Sequence, residues 1–203
     1  MIKLQHSSIN PIQNNDRVLV VGQTGSGKTV LSMILLYKIK RLLVVDSKDS
    51  FEGKYNLETY DQFTPDKIRE KEPFRVRVVD DDTALDALRL IYKYGDAIIY
   101  IDEVNSIIPP RKNPNQVFVD IWQRGRERNI GAWAASQRPV SIPVLFLSEA
   151  GHFFVFRLNN EEDRKRVAGY TDKRVNDRIV DRYGFYYYNV LEDQLKYVKK
   201  LPT

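Results

Sequence analysis

The chain has 203 residues, of which 42% are hydrophobic and 29% charged, and it carries a formal net charge of +5. It contains no cysteine, which excludes disulfides, thiol catalysis and Cys-based metal sites. No apolar run approaches the roughly 18 residues of a membrane span, and the first six residues lack the apolar core of a signal peptide, so we expect the protein to remain inside the cell that makes it.

A phosphate-binding loop is the first motif along the chain. Residues 22–29 read Gly-Gln-Thr-Gly-Ser-Gly-Lys-Thr and match the motif G-x-x-x-x-G-K-[ST]. The apolar run at 17–21 before them predicts a strand, and the run at 30–39 after them predicts a helix. Glycines let successive backbone N–H groups approach phosphate oxygens. Lys28 can reach the β- and γ-phosphates, and the Thr29 hydroxyl can bind Mg²⁺. The predicted nucleotide-binding residues are Gly22, Gln23, Thr24, Gly25, Ser26, Gly27, Lys28, Thr29 and Val30.

The next predicted strand, 42–46, ends in an acid and is followed by Ser47, Lys48 and Asp49. These residues either bind a ligand at the carboxyl edge of the sheet or form a simple capping turn. Residues 50–73 are predicted to be irregular and polar.

A strand and a helix are predicted to follow. Alternation at 74–80 predicts the strand, and Thr83 or Asp82 is expected to cap a helix that runs to Tyr92 and ends at Gly95.

The continuous apolar run 97–101 predicts a buried parallel strand and ends in Asp102 and Glu103. Two adjacent carboxylates at a strand end are typical of a Walker B segment. Asp102 would hold the water shell of Mg²⁺, and Glu103 would orient and deprotonate the attacking water.

A proline-rich loop at 107–115 contains Arg111 and Lys112. These side chains either contact the phosphates of a nucleic acid or are solvated loop charges.

A helix predicted at 117–123 leads into Arg124, Arg126 and Arg128, which flank Gly125. Three arginines on one turn are either surface decoration or the source of a cation that reaches the γ-phosphate of a neighbouring subunit, an arginine finger.

The strand predicted at 130–136 ends in Gln137. Because the carboxyl ends of parallel strands share one sheet edge, we expect Gln137 to lie beside Asp102 and Glu103. An uncharged amide there can contact the γ-phosphate and water, and so report hydrolysis to the rest of the fold.

The remainder predicts a short helix at 142–149, a strand at 152–156, helices at 159–169 and 171–182, and a β-hairpin at 184–199. The hairpin tyrosines can stack on bases, although packing in the sheet is the expected use. With residues 1–16 as an N-terminal arm, we predict one α/β domain over 1–203 with a mainly parallel sheet.

Together these motifs resemble the FtsK–HerA superfamily of DNA-pumping ATPases. Residues 45–48 resemble the Asp-Pro-Lys turn of FtsK-type motors, with Ser47 where that turn has proline. The arginine-finger and sensor region of those motors is similar to residues 124–126, which precede a strand that ends in Ser136-Gln137. The resemblance implies a three-layer P-loop NTPase fold of the RecA/ASCE type, with an extra strand between the Walker A and Walker B strands.

The small size is similar to the vaccinia-type packaging ATPases of membrane-containing icosahedral viruses, including the archaeal Sulfolobus turreted icosahedral viruses. That resemblance implies ATP and Mg²⁺ as cofactors and translocation of double-stranded viral DNA into a preformed capsid. It implies as partners the DNA, further copies of the chain in a hexameric or pentameric ring that can be monomeric in isolation, and capsid or internal-membrane vertex proteins. It also implies a location in the host cytoplasm or at the virion vertex.

Three other functions stay open at this point: an ATPase that drives virion protein assembly or secretion, a cellular DNA translocase of the same superfamily, and a nucleotide kinase. A kinase must avoid activating water, so Glu103 and Gln137 argue against the last of these.

Overall fold

The computed structural model describes residues 11–108 and 113–200. Within them, one sheet has nine strands in the order β3-β4-β2-β5-β6-β1-β7-β8-β9. The strands are β1 (Arg17–Val21), β2 (Arg41–Val45), β3 (Glu58–Thr59), β4 (Phe74–Val78), β5 (Ala97–Ile101), β6 (Ile130–Ser136), β7 (His152–Phe156), β8 (Phe185–Asn189) and β9 (Gln194–Val198). Arg111 and Lys112 lie outside the described residues.

Strands β1 to β7 pair in parallel, while β8 and β9 add an antiparallel hairpin at one edge. Strand β6 lies between β1 and β5, so the predicted extra strand between the Walker A and Walker B strands is confirmed. Every residue of β1 and β5 is buried, as expected of parallel strands covered on both faces.

The helices of the described ranges are α1 (Lys28–Leu36), α2 (Thr64–Arg69), α3 (Asp81–Tyr94), α4 (Val104–Ile107), α5 (Gln116–Arg124), α6 (Val144–Ser148) and α7 (Glu161–Ala168). Two hydrophobic clusters form the core. The apolar side chains of α2, α3, α5 and α6 belong to one cluster, and those of α1 belong to the other. The predicted three-layer α/β fold with a mainly parallel sheet is therefore confirmed.

The segment 50–73, predicted to be irregular, contains β3 and α2. The side chain of Asp61 accepts hydrogen bonds from the backbone N–H groups of Phe63 (3.0 Å) and Thr64 (3.1 Å), and Pro65 occupies the first turn of α2, where its missing N–H costs nothing. The cap of α3 is Asp80, which accepts from the Thr83 N–H at 2.8 Å, instead of the predicted Thr83 or Asp82.

The helix predicted at 171–182 is wrong, because only a 3₁₀ turn at Lys173–Asn176 forms there. The Asp172 side chain accepts from the Arg174 N–H at 2.8 Å, and Arg164 Nε donates to the Asn176 carbonyl at 2.9 Å. These bonds replace the contacts with which a helix would continue. Among the hairpin tyrosines, Tyr187 and Tyr188 are buried in the sheet.

Within the described ranges, no helix has the length and apolar character needed to cross a membrane.

Candidate active site

The phosphate loop joins β1 to α1 at the carboxyl edge of the sheet. Gly27 is the N-cap residue of α1 and adopts a left-handed conformation with φ of 106°, which glycine tolerates better than any other residue. A Cβ on Gly22 would lie 2.5 Å from the Cβ of Phe156 and 2.8 Å from Ser26 Oγ. The loop therefore depends on glycine at 22 for space and at 27 for backbone conformation.

Lys28 extends back over the loop. Its Nζ donates to the carbonyl oxygens of Gly22 (2.7 Å) and Gln23 (3.1 Å), and the residue is only 8% exposed. Burial lowers the pKa of Lys28 to about 8, although the nearby carboxylates of Glu103 and Asp102 act to raise it. An anion placed in this loop would stabilise the ammonium form.

Thr29 and Asp102 lie together where the loop meets β5. Thr29 Oγ1 donates to Asp102 Oδ1 at 3.1 Å, and the buried Tyr100 donates to the same oxygen at 2.9 Å. Burial, and then the charge of Asp102, raises the pKa of Tyr100 well above its usual value, so this phenol stays a donor.

The hydroxyl of Thr29 and the carboxylate of Asp102 are hard oxygen donors of the kind Mg²⁺ prefers, and Mg²⁺ usually needs only one or two protein ligands beside phosphate oxygens and water. The described residues contain no cluster of three or more His, Cys, Asp or Glu side chains that could hold a metal without phosphate. The pair therefore fits a magnesium ion that arrives with a nucleotide.

Glu103 is 7% exposed at the end of β5. Its Oε2 accepts from the backbone N–H of Gln137 at 3.2 Å and lies 3.8 Å from Lys48 Nζ. Its Oε1 is buried and has no hydrogen-bond partner among the described residues. One oxygen thus fixes the carboxylate, and the other is available to accept a proton.

Gln137 connects the base to the loop. Its side-chain Oε1 accepts from Thr24 Oγ1 at 2.7 Å, while its backbone holds Glu103. The end of β6 is braced by Asn105, whose Nδ2 donates to Ser136 Oγ at 2.8 Å. The predicted neighbourhood of Gln137 and Glu103 is present in the structure.

The turn after β2 shows the capping interaction that was one of its two sequence interpretations. Asp46 is fully buried and accepts from the backbone N–H groups of Ser50 and Phe51, each at 2.9 Å, which makes it a cap for the turn. Lys48, in contrast, is directed toward the site, where its ammonium group pairs with the Glu103 carboxylate.

The contacts of Tyr100 with Asp102 and of Asn105 with Ser136, and the pairing of Lys48 with Glu103, were not predicted from the sequence. For Tyr100 a signal existed, since side chains two apart on a strand share a face and Tyr100 precedes Asp102 by two.

The three arginines near Gly125 lie at the other end of β6. Arg124 ends α5, and Arg126 and Arg128 are in the 3₁₀ turn Gly125–Arg128 before Ile130. The seven residues of β6 separate this turn from Gln137 by about 23 Å, at about 3.3 Å per residue. An arginine side chain cannot span that distance, so none of the three approaches the phosphate loop of its own chain.

The three side chains differ in what they contact. Arg126 Nη2 lies 3.3 Å from Asp16 Oδ1, and the Arg128 guanidinium lies 4.7 Å from the ring centre of Tyr92. The side chain of Arg124 is exposed and makes no hydrogen bond or salt bridge with the part of the chain that the structure describes.

Arg17, at the start of β1, fixes this turn. Its guanidinium donates to the carbonyl oxygens of Ile121 (2.6 Å), Trp122 (2.8 Å) and Ile130 (3.1 Å). A Cβ on Gly125 would lie 3.1 Å from Arg17 Nη2, so glycine leaves room for the guanidinium. Burial lowers the pKa of Arg17 to about 10, which leaves it charged at neutral pH.

Comparison with known proteins identifies a relative of this chain. The DNA packaging ATPase P9 of Enterobacteria phage PRD1 is 31% identical to the chain over 166 residues, an alignment that covers 77% of this chain and 70% of P9. No protein-family model matches the chain.

Two solved structures share the fold. The genome packaging NTPase B204 from Sulfolobus turreted icosahedral virus 2, in complex with AMPPCP, has a TM-score of 0.77 at 18% identity, covering 94% of this chain and 100% of that chain. The cytoplasmic domain of the type VII secretion ATPase EccC from Thermomonospora curvata has a TM-score of 0.67 at 12% identity, covering 94% of this chain and 24% of that chain.

Proposed function

The chain belongs to the family of viral DNA-packaging ATPases that includes P9 of phage PRD1, and we propose that it hydrolyses ATP to move double-stranded viral DNA into a preformed capsid. One observation carries the catalytic part of this proposal. Glu103 is held by Gln137 beside the phosphate loop, and its second oxygen is buried and unpartnered among the described residues. A binding module would have no use for a carboxylate placed in this way, because its desolvation costs free energy.

The phosphate loop binds the triphosphate. Backbone N–H groups of the loop and the amino end of α1 face the phosphates, which favours negative charge there. Lys28 exchanges the carbonyl oxygens of Gly22 and Gln23 for phosphate oxygens, and so offsets the charge that develops on the transferred group.

Magnesium is proposed as the cofactor, held by Thr29 and Asp102. When bound, the ion neutralises charge on the phosphate oxygens. Tyr100 keeps the Asp102 carboxylate oriented toward Thr29 through its hydrogen bond.

Glu103 acts as the general base. Its Oε1 accepts a proton from water as the water oxygen bonds to the γ-phosphorus and the bond to the ADP oxygen breaks, giving ADP and phosphate. Gln137 is the sensor. Loss of the γ-phosphate changes the surroundings of its amide, and the Thr24 and Glu103 contacts transmit that change to the loop and to β5.

A cation from a neighbouring copy of the chain completes the site. Arg124 is proposed for this role, because Arg126 and Arg128 are already engaged within their own chain and Arg17 gives the turn a rigid support. Ring formation follows from this sharing, as a hexamer or a pentamer, and an isolated chain can be monomeric. We also propose that 1–203 is one domain.

The partners proposed for the ring are double-stranded DNA and capsid or internal-membrane vertex proteins, in the host cytoplasm or at the virion vertex. The net charge of +5 suits a polyanionic cargo.

Translocation can be tested with a duplex that carries a third, triplex-forming strand. ATP and the protein should displace the third strand, and Glu103→Gln should not. Displacement of the third strand without ATP would contradict ATP-driven translocation. Active hydrolysis without displacement, together with a pull-down that recovers coat protein but no DNA, would instead favour an ATPase that moves protein.

A further inference from the structure

Two cavities lie at the amino edge of the sheet, at the opposite end of the strands from the phosphate loop. Their volumes are about 320 and 300 Å³, and they share Asp96 and Asn129, the residues just before β5 and β6. We call the pair the amino-edge groove. Its described lining includes two carboxylates, those of Asp96 and Glu127, and six cations. The cations are Lys38, Lys40, Arg41, Lys71, Lys93 and Arg128.

Most of this positive charge has no carboxylate partner within residues 11–108 and 113–200. Lys71 pairs with Asp96, whereas the exposed side chains of Lys38 and Lys40 make no hydrogen bond or salt bridge in those ranges. Arg41 donates to neutral carbonyl oxygens, including that of Asp96 at 2.7 Å, and these hold the guanidinium without cancelling its charge. The groove therefore presents a surplus of positive charge to the molecule that covers it.

The carboxyl edge carries the opposite charge beside the phosphate loop. Residues 80–82, at the end of β4 and the start of α3, are three consecutive exposed aspartates. Asp80 caps α3, while the side chains of the other two make no hydrogen bond or salt bridge with the described part of the chain. In the turn after the neighbouring β2, the side chains of Asp49 and Glu52 are 52% and 77% exposed, although both contact Arg77. We call these five acids the acidic rim.

The strand order β4-β2-β5-β6-β1 fixes how these surfaces are arranged along the two edges. At the amino edge the arginine turn precedes β6, and the groove extends from there toward β2. At the carboxyl edge the phosphate loop follows β1, and the acidic rim lies in the same direction, after β2 and β4. One rotation relates each chain of a ring to the next, so neighbouring sheets keep the same strand order. A chain whose arginine turn meets its neighbour's loop therefore carries its groove toward that neighbour's acidic rim.

We propose that the amino-edge groove of one chain docks on the acidic rim of the next copy in a head-to-tail contact. This inference rests on the proposed function, since the shared arginine decides which edges meet. A contact of this kind uses two different patches on every chain and can close into a ring, and opposite charges fix its register. Duplex DNA is a less suitable occupant, because the groove adjoins the arginine turn that a neighbour has to cover.

Charge reversal tests the contact in full-length chains. The groove variant carries Lys40→Glu and Lys93→Glu, and the rim variant carries Asp81→Lys and Asp82→Lys; all four side chains are exposed, and the cap Asp80 is kept. Sedimentation velocity with a non-hydrolysable ATP analogue and duplex DNA measures assembly, and urea unfolding shows whether each variant is folded. Should a reversed chain not fold, the neutral changes Lys40→Gln with Lys93→Gln, or Asp81→Asn with Asp82→Asn, take its place, and weaker assembly is the expected result.

Each reversed variant alone should need about tenfold or more higher protein concentration to assemble, because like charges then face each other. An equimolar mixture of the two should assemble again, since the reversed groove meets the reversed rim. Both variants keep a positive net charge, so general attraction cannot produce this result. The matched control, Lys199→Glu with Lys200→Glu after β9, makes the same charge change at exposed positions far from the groove. It should assemble normally and should not rescue the rim variant.

Normal assembly of the groove variant, or a mixture of folded reversed chains that does not assemble, overturns the docking contact. Recovery of activity by mixed Arg124→Ala and Glu103→Gln chains would then leave the shared site of the proposed function standing. A groove variant that assembles normally but loses the stimulation of turnover by duplex DNA would assign the groove to DNA instead. Unmodified chains that stay monomeric with the analogue and DNA present would overturn both the shared site and this inference.

Discussion

The backbone N–H of Gln137 donates to Oε2 of Glu103 at 3.2 Å, which joins the ends of β6 and β5. The side chain of the same glutamine accepts from Thr24 in the phosphate loop. A single residue therefore holds the proposed base with its main chain and the nucleotide loop with its amide. Any movement of Gln137 on phosphate release changes the position of both.

Glu103→Gln is expected to lower ATP hydrolysis by about 10²–10⁴-fold, because the amide cannot take a proton from water. ATP binding should persist, since the amide keeps an acceptor oxygen for the Gln137 N–H and the loop is untouched. Steady-state turnover and calorimetric binding measure the two effects. Glu70→Gln, an exposed change at the end of α2, is the matched control, and normal turnover by Glu103→Gln would remove Glu103 from the role of base.

The pKa of Lys28, about 8 in the free protein, predicts a pH dependence of ATP binding. Phosphate oxygens raise that pKa in the complex, so above about pH 8 binding must take up a proton, and affinity falls by up to about tenfold per pH unit. At pH 7 Lys28 is already charged in the free protein, so it contributes little uptake.

Calorimetry at pH 9 in two buffers of different ionisation enthalpy measures the proton uptake directly. Lys28→Met should bind ATP weakly and lose this uptake. An uptake that is the same in Lys28→Met as in the unmodified chain would contradict the assignment.

Arg124→Ala is expected to lower turnover by about 10³-fold or more, the range found for a finger supplied in trans. Arg126→Ala and Arg128→Ala should have much smaller effects on turnover. Because the finger acts on a neighbour, a mixture of Arg124→Ala and Glu103→Gln chains should recover activity, since some interfaces pair an intact base with an intact arginine.

The matched control mixes Glu103→Gln chains, which lack the base, with Lys28→Ala chains, which lack the loop lysine. Both residues belong to the part of the site that one chain supplies. No interface in that mixture has an intact site, so no activity should return. Absence of recovery in the first mixture, with rings present by size measurement, would place the finger elsewhere or in the same chain.

Arg17→Met should lower the free energy of unfolding by about 3 kcal/mol, because buried carbonyl oxygens of α5 lose their charged donor. Urea unfolding measures the change. Arg89→Met, which removes an exposed pair with Asp86, is the control and should change stability by less than about 0.5 kcal/mol. Equal midpoints for the two variants would show that the guanidinium does not support the turn.

Much of the site could be predicted because its residues sit at strand ends. A parallel strand buried on both faces leaves a clear apolar run, and the polar residues after 17–21, 97–101 and 130–136 necessarily share one sheet edge. Glu103 and Gln137 follow two of these strands, so their proximity could be predicted from the sequence.

The contacts that depend on side-chain reach could not be predicted. Lys48, which lies 3.8 Å from Glu103, is part of the turn that Asp46 closes through its hydrogen bonds with Ser50 and Phe51. No local sequence pattern encodes the distance between Lys48 and Glu103. The helix expected at 171–182 does not form, and side-chain reach is again the reason. Arg164 on α7 donates a hydrogen bond to the Asn176 carbonyl, which no local sequence pattern indicates.

We propose that ATP hydrolysis by subunit-shared sites is coupled to DNA. ATP turnover per chain, measured with and without duplex DNA over a range of protein concentrations, is the decisive test of this coupling. We expect that duplex DNA raises turnover and that turnover per chain rises with protein concentration as rings assemble. A rate per chain that is independent of concentration and unchanged by saturating duplex DNA would contradict it.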